Sequence, residues 1–239
     1  MNEVYENGEY LLDMARYDIS RLVQKMFYSG DDRITIAASW NDIKSEVSKL
    51  YKTLLKHKEH AVPSATRAEI CGGYTIYHSI NVSILSMYIA ILMDKEEDDI
   101  INIGIAGLLH DVGKKYISTP VIEKRGPLSK QEQDIFKMHP KLGYNLIKQK
   151  YPEAPKEVLR GIRDHHERVT GSGYPEGKKK ICETARIIAI ADSFEAFTAV
   201  RPYHSSRPLT QGFKFILNEE GLDHDIAEIF AANHIVEAA

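Results

Sequence analysis

Cysteine is scarce in this chain of 239 residues, and neither sign of charge is in large excess. Its two cysteines, Cys71 and Cys182, are too few and too unpatterned for a disulfide framework or a thiolate metal site, and they suit free thiols in a reducing compartment. Lysine and arginine together number 31 against 34 aspartates and glutamates, so the formal net charge is −3. The lack of a general basic field argues against nucleic acid as a partner.

Long hydrophobic runs are missing as well. The most apolar window, Ile84 to Met93, has about half the length that a membrane span requires. The chain opens on Met1-Asn2-Glu3-Val4 and an acidic, polar stretch, which is not the pattern of a secretory signal. We therefore expect a cytoplasmic protein that does not insert into a membrane.

Strand signals are scarce, repeats and low-complexity tracts are absent, and helical periodicity covers most of the chain. Ser39 is a candidate N-cap for an amphipathic helix over residues 40–54. Ser129 and Glu132 form a capping box, which predicts a helix that runs through His139 towards Lys148. Further helices are predicted at residues 76–93, at 100–109, from Pro155 in a first turn to 165, at 184–199 and at 223–236. The predicted fold class is all-α, a helical bundle.

A domain boundary is predicted within residues 57–73, where Pro63-Ser64 and Gly72-Gly73 interrupt the periodicity. Residues 1–66 then form an N-terminal helical extension of two or three amphipathic helices, and residues 67–239 form the main domain with a C-terminal helix that packs back on it. We recognise no family motif in the extension. It suits a sensory or dimerising bundle, part of a larger regulator, or simple packing onto the main domain.

Histidine and aspartate carry the functional signal. Five of the ten histidines and two aspartates fall in short motifs across half of the chain, at His78, His110-Asp111, His139, His165-His166 and Asp192. Imidazole and carboxylate are the ligand types that hold two divalent metal ions side by side, and an Asp next to a His can bridge both ions. This pattern predicts a metal-dependent hydrolase.

Each motif also has an ordinary explanation. Asp111 at the end of an apolar helix is costly to bury unless it is paired or bound to metal, although many His-Asp pairs are capping or surface residues. Asp192 lies within an apolar helix, where the backbone or an arginine could hold it instead of a metal. His165 and His166 can face one metal only at a helix end or a cleft edge, and His78 or His139 alone could be a core histidine with one hydrogen bond.

The order of the motifs resembles the HD-GYP family, a subgroup of the HD superfamily of metal-dependent phosphohydrolases. The resemblance covers roughly residues 70–218 and keeps the family's motif order. It is carried by His78-Ser79, His110-Asp111 with Lys114, His139-Pro140, His165-His166-Glu167, the Gly171-Ser172-Gly173-Tyr174-Pro175 loop, Asp192 and Arg201-Pro202-Tyr203.

The resemblance implies an all-helical bacterial signalling domain that hydrolyses cyclic di-GMP to pGpG and often on to GMP. It implies two divalent metal ions, iron or manganese, and a hydroxide bridging them that attacks phosphorus in line. The implied metal ligands are His78, His110, Asp111, His139, His165, His166 and Asp192, with Asp111 bridging the two ions.

The same resemblance assigns residues to the substrate. Lys114 is the implied phosphate-facing lysine, which stabilises the transition state or protonates the leaving oxygen. Tyr174 is implied to line the pocket, and Gly173 and Pro175 of the same loop are implied to bind the substrate. The glycines Gly171 and Gly173 let that loop turn tightly and bring the backbone close to the ligand. Arg201 is a second phosphate contact, since its guanidinium fork suits a phosphodiester.

Two departures from the family pattern affect these expectations. Tyr74 stands where some members have a glutamate that supports a third metal, so we expect two metal ions. His204-Ser205-Ser206-Arg207 replaces the usual basic continuation of Arg-Pro-Tyr, which bears on the distal phosphate contacts and on substrate choice.

Two alternatives remain open. One is a catalytically weak signalling or interaction module that keeps the fold and uses the Gly-Tyr-Pro loop for protein contacts; a homodimer or a signalling-protein partner is a further expectation for the chain. The other is a phosphohydrolase for another cyclic dinucleotide or nucleotide. The complete ligand set argues against the first alternative, and Tyr174 together with Arg201 argues against a general nucleotide phosphohydrolase.

Overall fold

The computed structural model describes residues 8–28, 38–66, 74–122, 124, 126–199 and 207–235. No strand occurs within those ranges, and the all-α prediction is confirmed. The helices are α1 (Gly8–Tyr28), α2 (Trp40–Lys56), α3 (Ala61–Thr66), α4 (Tyr74–Leu92), α5 (Glu97–Leu109), α6 (Thr119–Ile122), α7 (Lys130–Phe136), α8 (His139–Lys150), α9 (Lys156–Asp164), α10 (Glu183–Thr198), α11 (Leu209–Asn218) and α12 (His224–Ile235). Two short 3₁₀ turns lie at Lys58–His60 and Val112–Tyr116.

The centre of the bundle is α4, which packs along α5 and α10. Helix α9 lies against both α5 and α10, and α8 packs between α9 and the 3₁₀ turn at Val112–Tyr116. Gly113 lets that turn approach α8, because a Cβ there would lie 2.0 Å from the carbonyl oxygen of His139. Burial of the apolar faces of these helices therefore brings their ends to one region.

The N-terminal helices share the main core. Helix α1 packs on α2 and α4, and α2 packs on α5. Leu12 and Ile19 of α1 are fully buried in the same apolar cluster as Leu85 of α4 and Phe194 of α10. Ser39 is the N-cap of α2, as predicted, and it also forms a capping box with Asp42, which was not predicted. The division at residue 66 stays a prediction.

Three sequence predictions need correction. The helix predicted from Ser129 towards Lys148 is two helices, α7 and α8, separated at Lys137 and Met138. Pro155 is the N-cap of α9 and not a residue of its first turn. The stretch 57–73 also contains regular structure, since α3 and one 3₁₀ turn lie within it and residues 67–73 fall outside the described ranges.

The apolar stretch of helix α4 is longer than the window Ile84 to Met93 indicated. Its segment Thr75–Leu92 has a mean hydropathy of 1.4 and passes as a membrane span by length and composition, alone among the described helices. However, 78% of that segment is buried inside the fold. A helix that is apolar all round and covered by its neighbours is a core helix.

Candidate metal centre

The seven residues expected to bind metal lie together where five helices meet. His78 is in the second turn of α4, and His110 and Asp111 follow the end of α5. His139 is the first residue of α8, and His165 and His166 follow the end of α9. Asp192 lies in the middle of α10. The prediction that neighbouring histidines meet one site at a helix end thus describes the position of His165 and His166.

The potential ligand atoms form two trios on either side of Asp111. One trio is His78, His110 and Asp192, and the other is His139, His165 and His166, with the ligand atoms of each trio within 4.8 Å of one another. A third group, His110, Asp111 and His165, joins them at the same spacing.

Asp111 contacts both trios through its carboxylate. Its Oδ1 lies 3.2 Å from Nε2 of His139, whereas its Oδ2 lies 3.3 Å from Nε2 of His110 and 3.5 Å from Nε2 of His78. The residue is only 1% exposed. A carboxylate with one oxygen towards each trio is suited to bridge two cations.

Backbone carbonyls orient three of the histidine rings. Nδ1 of His110 donates to the carbonyl of Gly107 at 2.7 Å. In the same way, Nδ1 of His139 donates to the carbonyl of Phe136 at 2.8 Å, and Nδ1 of His165 donates to the carbonyl of Ile162 at 2.8 Å. A carbonyl can only accept, so Nδ1 carries the proton in each ring and Nε2 keeps its lone pair for a metal. Nε2 of His110 is buried without a hydrogen bond, as a ligand atom would be. The site therefore fits divalent metal ions.

Glu195 is a residue of this centre that the sequence analysis missed. Its Oε2 accepts from Nδ1 of His78 at 2.7 Å, and the glutamate is 1% exposed. Nε2 of His78 is thereby directed to Asp192, whose Oδ1 lies 3.2 Å away. The signal was present, because Glu195 follows Asp192 by three residues on the same apolar helix and shares its face.

In the first trio, neighbouring charges shift the pKa values of His78 and Asp192 in opposite directions. Burial disfavours the charged form of His78, but Glu195, with Asp111 and Asp192, outweighs burial and raises the pKa of His78 well above 6.5. Burial also acts to raise the pKa of Asp192, but His78 outweighs it and holds that pKa well below 3.8. Asp111 behaves likewise, because His110 and then Lys114 overcome its burial and lower its pKa.

Two histidines of the second trio, His165 and His166, have pKa values shifted in the direction opposite to that of His78. Burial lowers the pKa of both His165 and His166 well below 6.5. For His165 the nearby His166 adds to this effect, whereas for His166 Asp192 opposes it. Both rings are consequently neutral at neutral pH and carry a lone pair that a metal ion can use.

Lys114 lies directly beside the carboxylate of Asp111. It belongs to the 3₁₀ turn that follows Asp111, and its Nζ is 2.5 Å from Oδ2 of Asp111. The ammonium also lies over the Phe136 ring, 5.3 Å from its centroid. The cation that we expected at the site, the ammonium of Lys114, is thus within hydrogen-bonding distance of Asp111.

The Gly-Tyr-Pro loop covers the second trio. The ring of Tyr174 stacks on that of His166 with centroids 4.5 Å apart, and its backbone N–H donates to the carbonyl of His166 at 3.0 Å. Glu167, only 1% exposed, accepts from the backbone N–H groups of Glu176 and Lys178 and so ties the loop to the end of α9. Pro175 is half-buried beside Tyr174.

Some of the residues expected at the site are not among those that the structure describes. Arg201 and the His204-Ser205-Ser206 segment lie outside the described residues, as does the side chain of Tyr74. Lys137 is a further cation near the site that the sequence analysis missed. It is exposed, and its Nζ lies 5.8 Å from the centroid of the Tyr174 ring.

A helical bundle whose helix ends converge on five histidines and two aspartates is the architecture expected of a metal-dependent hydrolase. A model of the HD domain family matches residues 49–226. The chain belongs to the HD domain family, and its resemblance to the HD-GYP subgroup is confirmed.

Characterised relatives share about a third of their aligned residues with this chain. A cyclic di-GMP phosphodiesterase of Pseudomonas aeruginosa is 32% identical over 165 residues, which are 68% of this chain and 39% of the relative. A cyclic di-GMP phosphodiesterase of Thermotoga maritima is 35% identical over a region that is 60% of this chain and 40% of the relative. A 3′3′-cGAMP-specific phosphodiesterase of Vibrio cholerae is 34% identical over a region that is 66% of this chain and 34% of the relative. The chain therefore spans less than half the length of these relatives.

A solved structure supports the fold. An HDG"Y"P protein from Bdellovibrio bacteriovorus aligns over 100% of this chain and 75% of its own, with a TM-score of 0.76 at 16% sequence identity. At that identity the likeness concerns the fold alone. The alignment includes the N-terminal helices α1 and α2 as well as the main bundle.

Proposed function

We propose that this chain is a metal-dependent phosphodiesterase that hydrolyses cyclic di-GMP to linear pGpG. The observation that carries the proposal is the buried carboxylate of Asp111, with Oδ1 3.2 Å from His139 and Oδ2 3.3 Å from His110, each in a different ligand trio. Two adjoining cation positions that share one carboxylate suit in-line displacement at phosphorus, where both the attacking and the leaving oxygen need stabilisation.

We propose two divalent ions, one held by His78, His110 and Asp192 and the other by His139, His165 and His166, with Asp111 between them. When bound, they would lower the pKa of a water molecule and take up negative charge on the phosphate oxygens. The five imidazoles and two carboxylates suit a borderline divalent metal, and iron or manganese is our proposal for its identity.

Protein groups act on the substrate beside the metals. The ammonium of Lys114, 2.5 Å from Asp111, lies where it can donate to a phosphate oxygen and stabilise charge that develops on it. Tyr174 stacks on His166 and offers an aromatic face and a hydroxyl to a base or ribose. Burial raises the pKa of this phenol, so its O–H remains a hydrogen-bond donor at neutral pH.

A second cyclic dinucleotide is the competing substrate. The relative from Vibrio cholerae that is named a 3′3′-cGAMP-specific phosphodiesterase is as similar to this chain as those named for cyclic di-GMP. The two substrates share the phosphodiester ring and differ in one base. Discrimination therefore falls to base contacts such as Tyr174 and not to the metal ligands.

One experiment tests the proposal. Protein reloaded with Mn²⁺ or Fe²⁺ is analysed for bound metal and incubated with cyclic di-GMP, pGpG and 3′3′-cGAMP, with products separated by chromatography. We expect about two metal ions per chain, by our ligand count, and conversion of cyclic di-GMP to pGpG. Faster hydrolysis of 3′3′-cGAMP would transfer the proposal to that substrate. Two bound metals without hydrolysis of any of the three would instead indicate the catalytically weak interaction module.

The location of the protein, its partners and the role of its N-terminal residues are part of the proposal. A cytoplasmic location, a homodimer or signalling-protein partner, and a separate role for residues 1–66 remain predictions. Because the chain spans less than half of its relatives' length, activity is best measured both on this chain and on any longer protein that contains it.

A further inference from the structure

A continuous line of hydrogen bonds joins the N-terminal helix α1 to the candidate metal centre. Nη2 of Arg16 donates to Oδ1 of Asn81 at 2.8 Å. Nδ2 of Asn81 donates to Oε1 of Glu195 at 3.1 Å. The other oxygen of Glu195 accepts from Nδ1 of His78 at 2.7 Å. The path thus crosses from α1 through α4 to α10 and returns to α4 at the metal ligand.

All four side chains of this line are shielded from water. Their exposed fractions are 6% for Arg16, 3% for Asn81, 1% for Glu195 and 5% for His78. A buried network of this kind is stable only while its members satisfy one another, because water cannot replace a lost partner. Loss of one member therefore affects the next more strongly than at a surface.

Arg16 fixes the direction in which Asn81 points. A guanidinium can only donate and a carboxylate can only accept, so the amide of Asn81 must turn its oxygen to Arg16 and its nitrogen to Glu195. A flipped amide would set its NH₂ group against the guanidinium and its oxygen against the carboxylate. The arginine is therefore needed to keep the Asn81 donor on Glu195.

Arg16 is itself held by neighbouring elements. Its Nη1 pairs with Oδ1 of Asp13, one turn earlier on α1, at 3.1 Å, and the same oxygen accepts from Ser64 of α3 at 3.0 Å. The guanidinium also lies over the ring of Tyr77, the neighbour of the ligand His78, 5.8 Å from its centroid. The position of α1 thus determines where the first donor of the line stands.

We propose that Arg16 is a positioning residue through which helix α1 controls the metal affinity of the position formed by His78, His110 and Asp192. Glu195 keeps the proton of His78 on Nδ1 and directs Nε2 to the metal, and Asn81 with Arg16 keeps Glu195 in place. This inference rests on the proposed metal-dependent function. It assigns to the N-terminal extension an effect on one metal position.

The second metal position gives the internal comparison. In His139 and His165, Nδ1 donates to a backbone carbonyl three residues earlier, so local chain geometry orients both rings. Neither ring depends on a side chain of α1. A change at Arg16 should therefore weaken the first position and leave the second intact.

The test compares three variants of the full chain. Arg16→Met keeps the length of the side chain but removes its donors, and Arg16→Lys restores one donor. Asn81→Asp keeps an acceptor for Arg16 but presents an oxygen to Glu195 in place of the amide donor. Ile19→Val, which trims a fully buried residue of α1 that takes part in none of these hydrogen bonds, is the control for loosened packing.

Metal binding is the readout, with activity as a secondary one. Each variant is stripped of metal and titrated with Mn²⁺ by equilibrium dialysis, while electron paramagnetic resonance distinguishes a coupled pair of ions from a single one. We expect Arg16→Met and Asn81→Asp to bind the ion at the position of His78, His110 and Asp192 roughly tenfold more weakly, at the lower end of the effect of groups that support a metal ligand. The affinity of the other position should stay at the wild-type value. The spectra of these two variants should show single ions, Arg16→Lys should recover part of the affinity, and Ile19→Val should resemble the wild type.

Two results would overturn the inference while leaving the proposed function intact. One is wild-type affinity at both positions in Arg16→Met and Asn81→Asp. The other is an equal loss at both positions that Ile19→Val reproduces, which would assign Arg16 a purely structural effect. If Arg16→Met does not fold, Arg16→Lys and Asn81→Asp decide together: a loss confined to the first position in both supports the inference, and wild-type affinity in both overturns it. A wild-type chain that binds no metal would overturn both proposals.

Discussion

Oδ1 of Asp111 lies 3.2 Å from Nε2 of His139, a residue from a different helix, while Oδ2 of the same carboxylate faces the opposite ligand trio. The buried pair couples the end of α5 to the start of α8. Because Gly113 allows the 3₁₀ turn to approach the start of α8 this closely, the turn helps to place His139 against Asp111.

Asp111→Asn should abolish hydrolysis and lower the metal content. The amide has nearly the same shape, but it has one oxygen fewer and no charge, so it cannot bridge two cations. We expect kcat to fall roughly a hundredfold or more, as for the loss of a major electrostatic group in an active site. Steady-state kinetics and elemental analysis measure both effects. Asp134→Asn, at an exposed position on α7, is the matched control, and two metals with normal turnover in Asp111→Asn would exclude a bridging carboxylate.

Lys114→Ala should act mainly on kcat. The ammonium stands beside Asp111, where it can stabilise charge that develops on phosphate in the transition state. We expect a loss of roughly tenfold to a thousandfold in kcat with little change in KM. Bound metal should be unchanged, since a cationic lysine does not bind metal. Wild-type kinetics would remove Lys114 from the mechanism.

Arg201→Ala should act mainly on KM. The family resemblance assigns this residue to a phosphate in both the ground state and the transition state, and loss of such uniform binding raises KM. Metal content should stay at the wild-type level. The measurement is the same pair of kinetic constants used for Lys114→Ala, and a fall in kcat alone would place Arg201 with the groups that act only in the transition state.

The fold and the ligand set could be predicted because their signals are local. The N-cap Ser39 and the capping box at Ser129 mark helix starts, and His110-Asp111 and His165-His166 stand out at helix ends. The end of α7 could not be predicted in this way. Periodicity continues through Lys137 and Met138, whereas in the structure the chain turns there and Nδ1 of His139 donates to the carbonyl of Phe136.

The supporting residues were missed because they are distant in sequence. Glu195 is 117 residues from His78, and Arg16 is 65 residues from Asn81. No spacing rule relates such pairs, and each residue alone looks like an ordinary polar residue on a helix. Only the packing of α1 and α10 on α4 brings them into contact.

Metal binding at the His78 position should release a proton. In the metal-free protein Glu195 raises the pKa of His78 well above 6.5, so the ring is protonated at neutral pH and must lose a proton to bind metal. Affinity should therefore increase as pH rises towards that raised pKa and level off above it. At the other position the lowered pKa values of His165 and His166 predict little pH dependence above 6.5.

Calorimetric titration of the metal-free protein with both metal ions, in two buffers with different ionisation enthalpies, measures the proton that is released at the His78 position. We expect the observed enthalpy to differ between the buffers, and to differ less in Glu195→Gln, which lacks the charge that raises the pKa of His78. Equal enthalpies in both buffers for the wild type would mean that His78 is already neutral before metal arrives.

Gly173→Ala should displace the loop that carries Tyr174. An added Cβ would lie 2.4 Å from the carbonyl oxygen of His166 and 2.5 Å from the backbone nitrogen of Arg168, and neither backbone atom can move aside cheaply. We expect a loss of about 1–3 kcal/mol in the free energy of unfolding, typical of overpacking, together with a lower kcat/KM as the Tyr174 ring leaves His166. Gly126→Ala is the control, because nothing lies within 4 Å of its added Cβ. Denaturant unfolding and kinetics on both variants decide the matter, and unchanged kinetics in a destabilised Gly173→Ala would show that the loop stabilises the fold without serving the substrate.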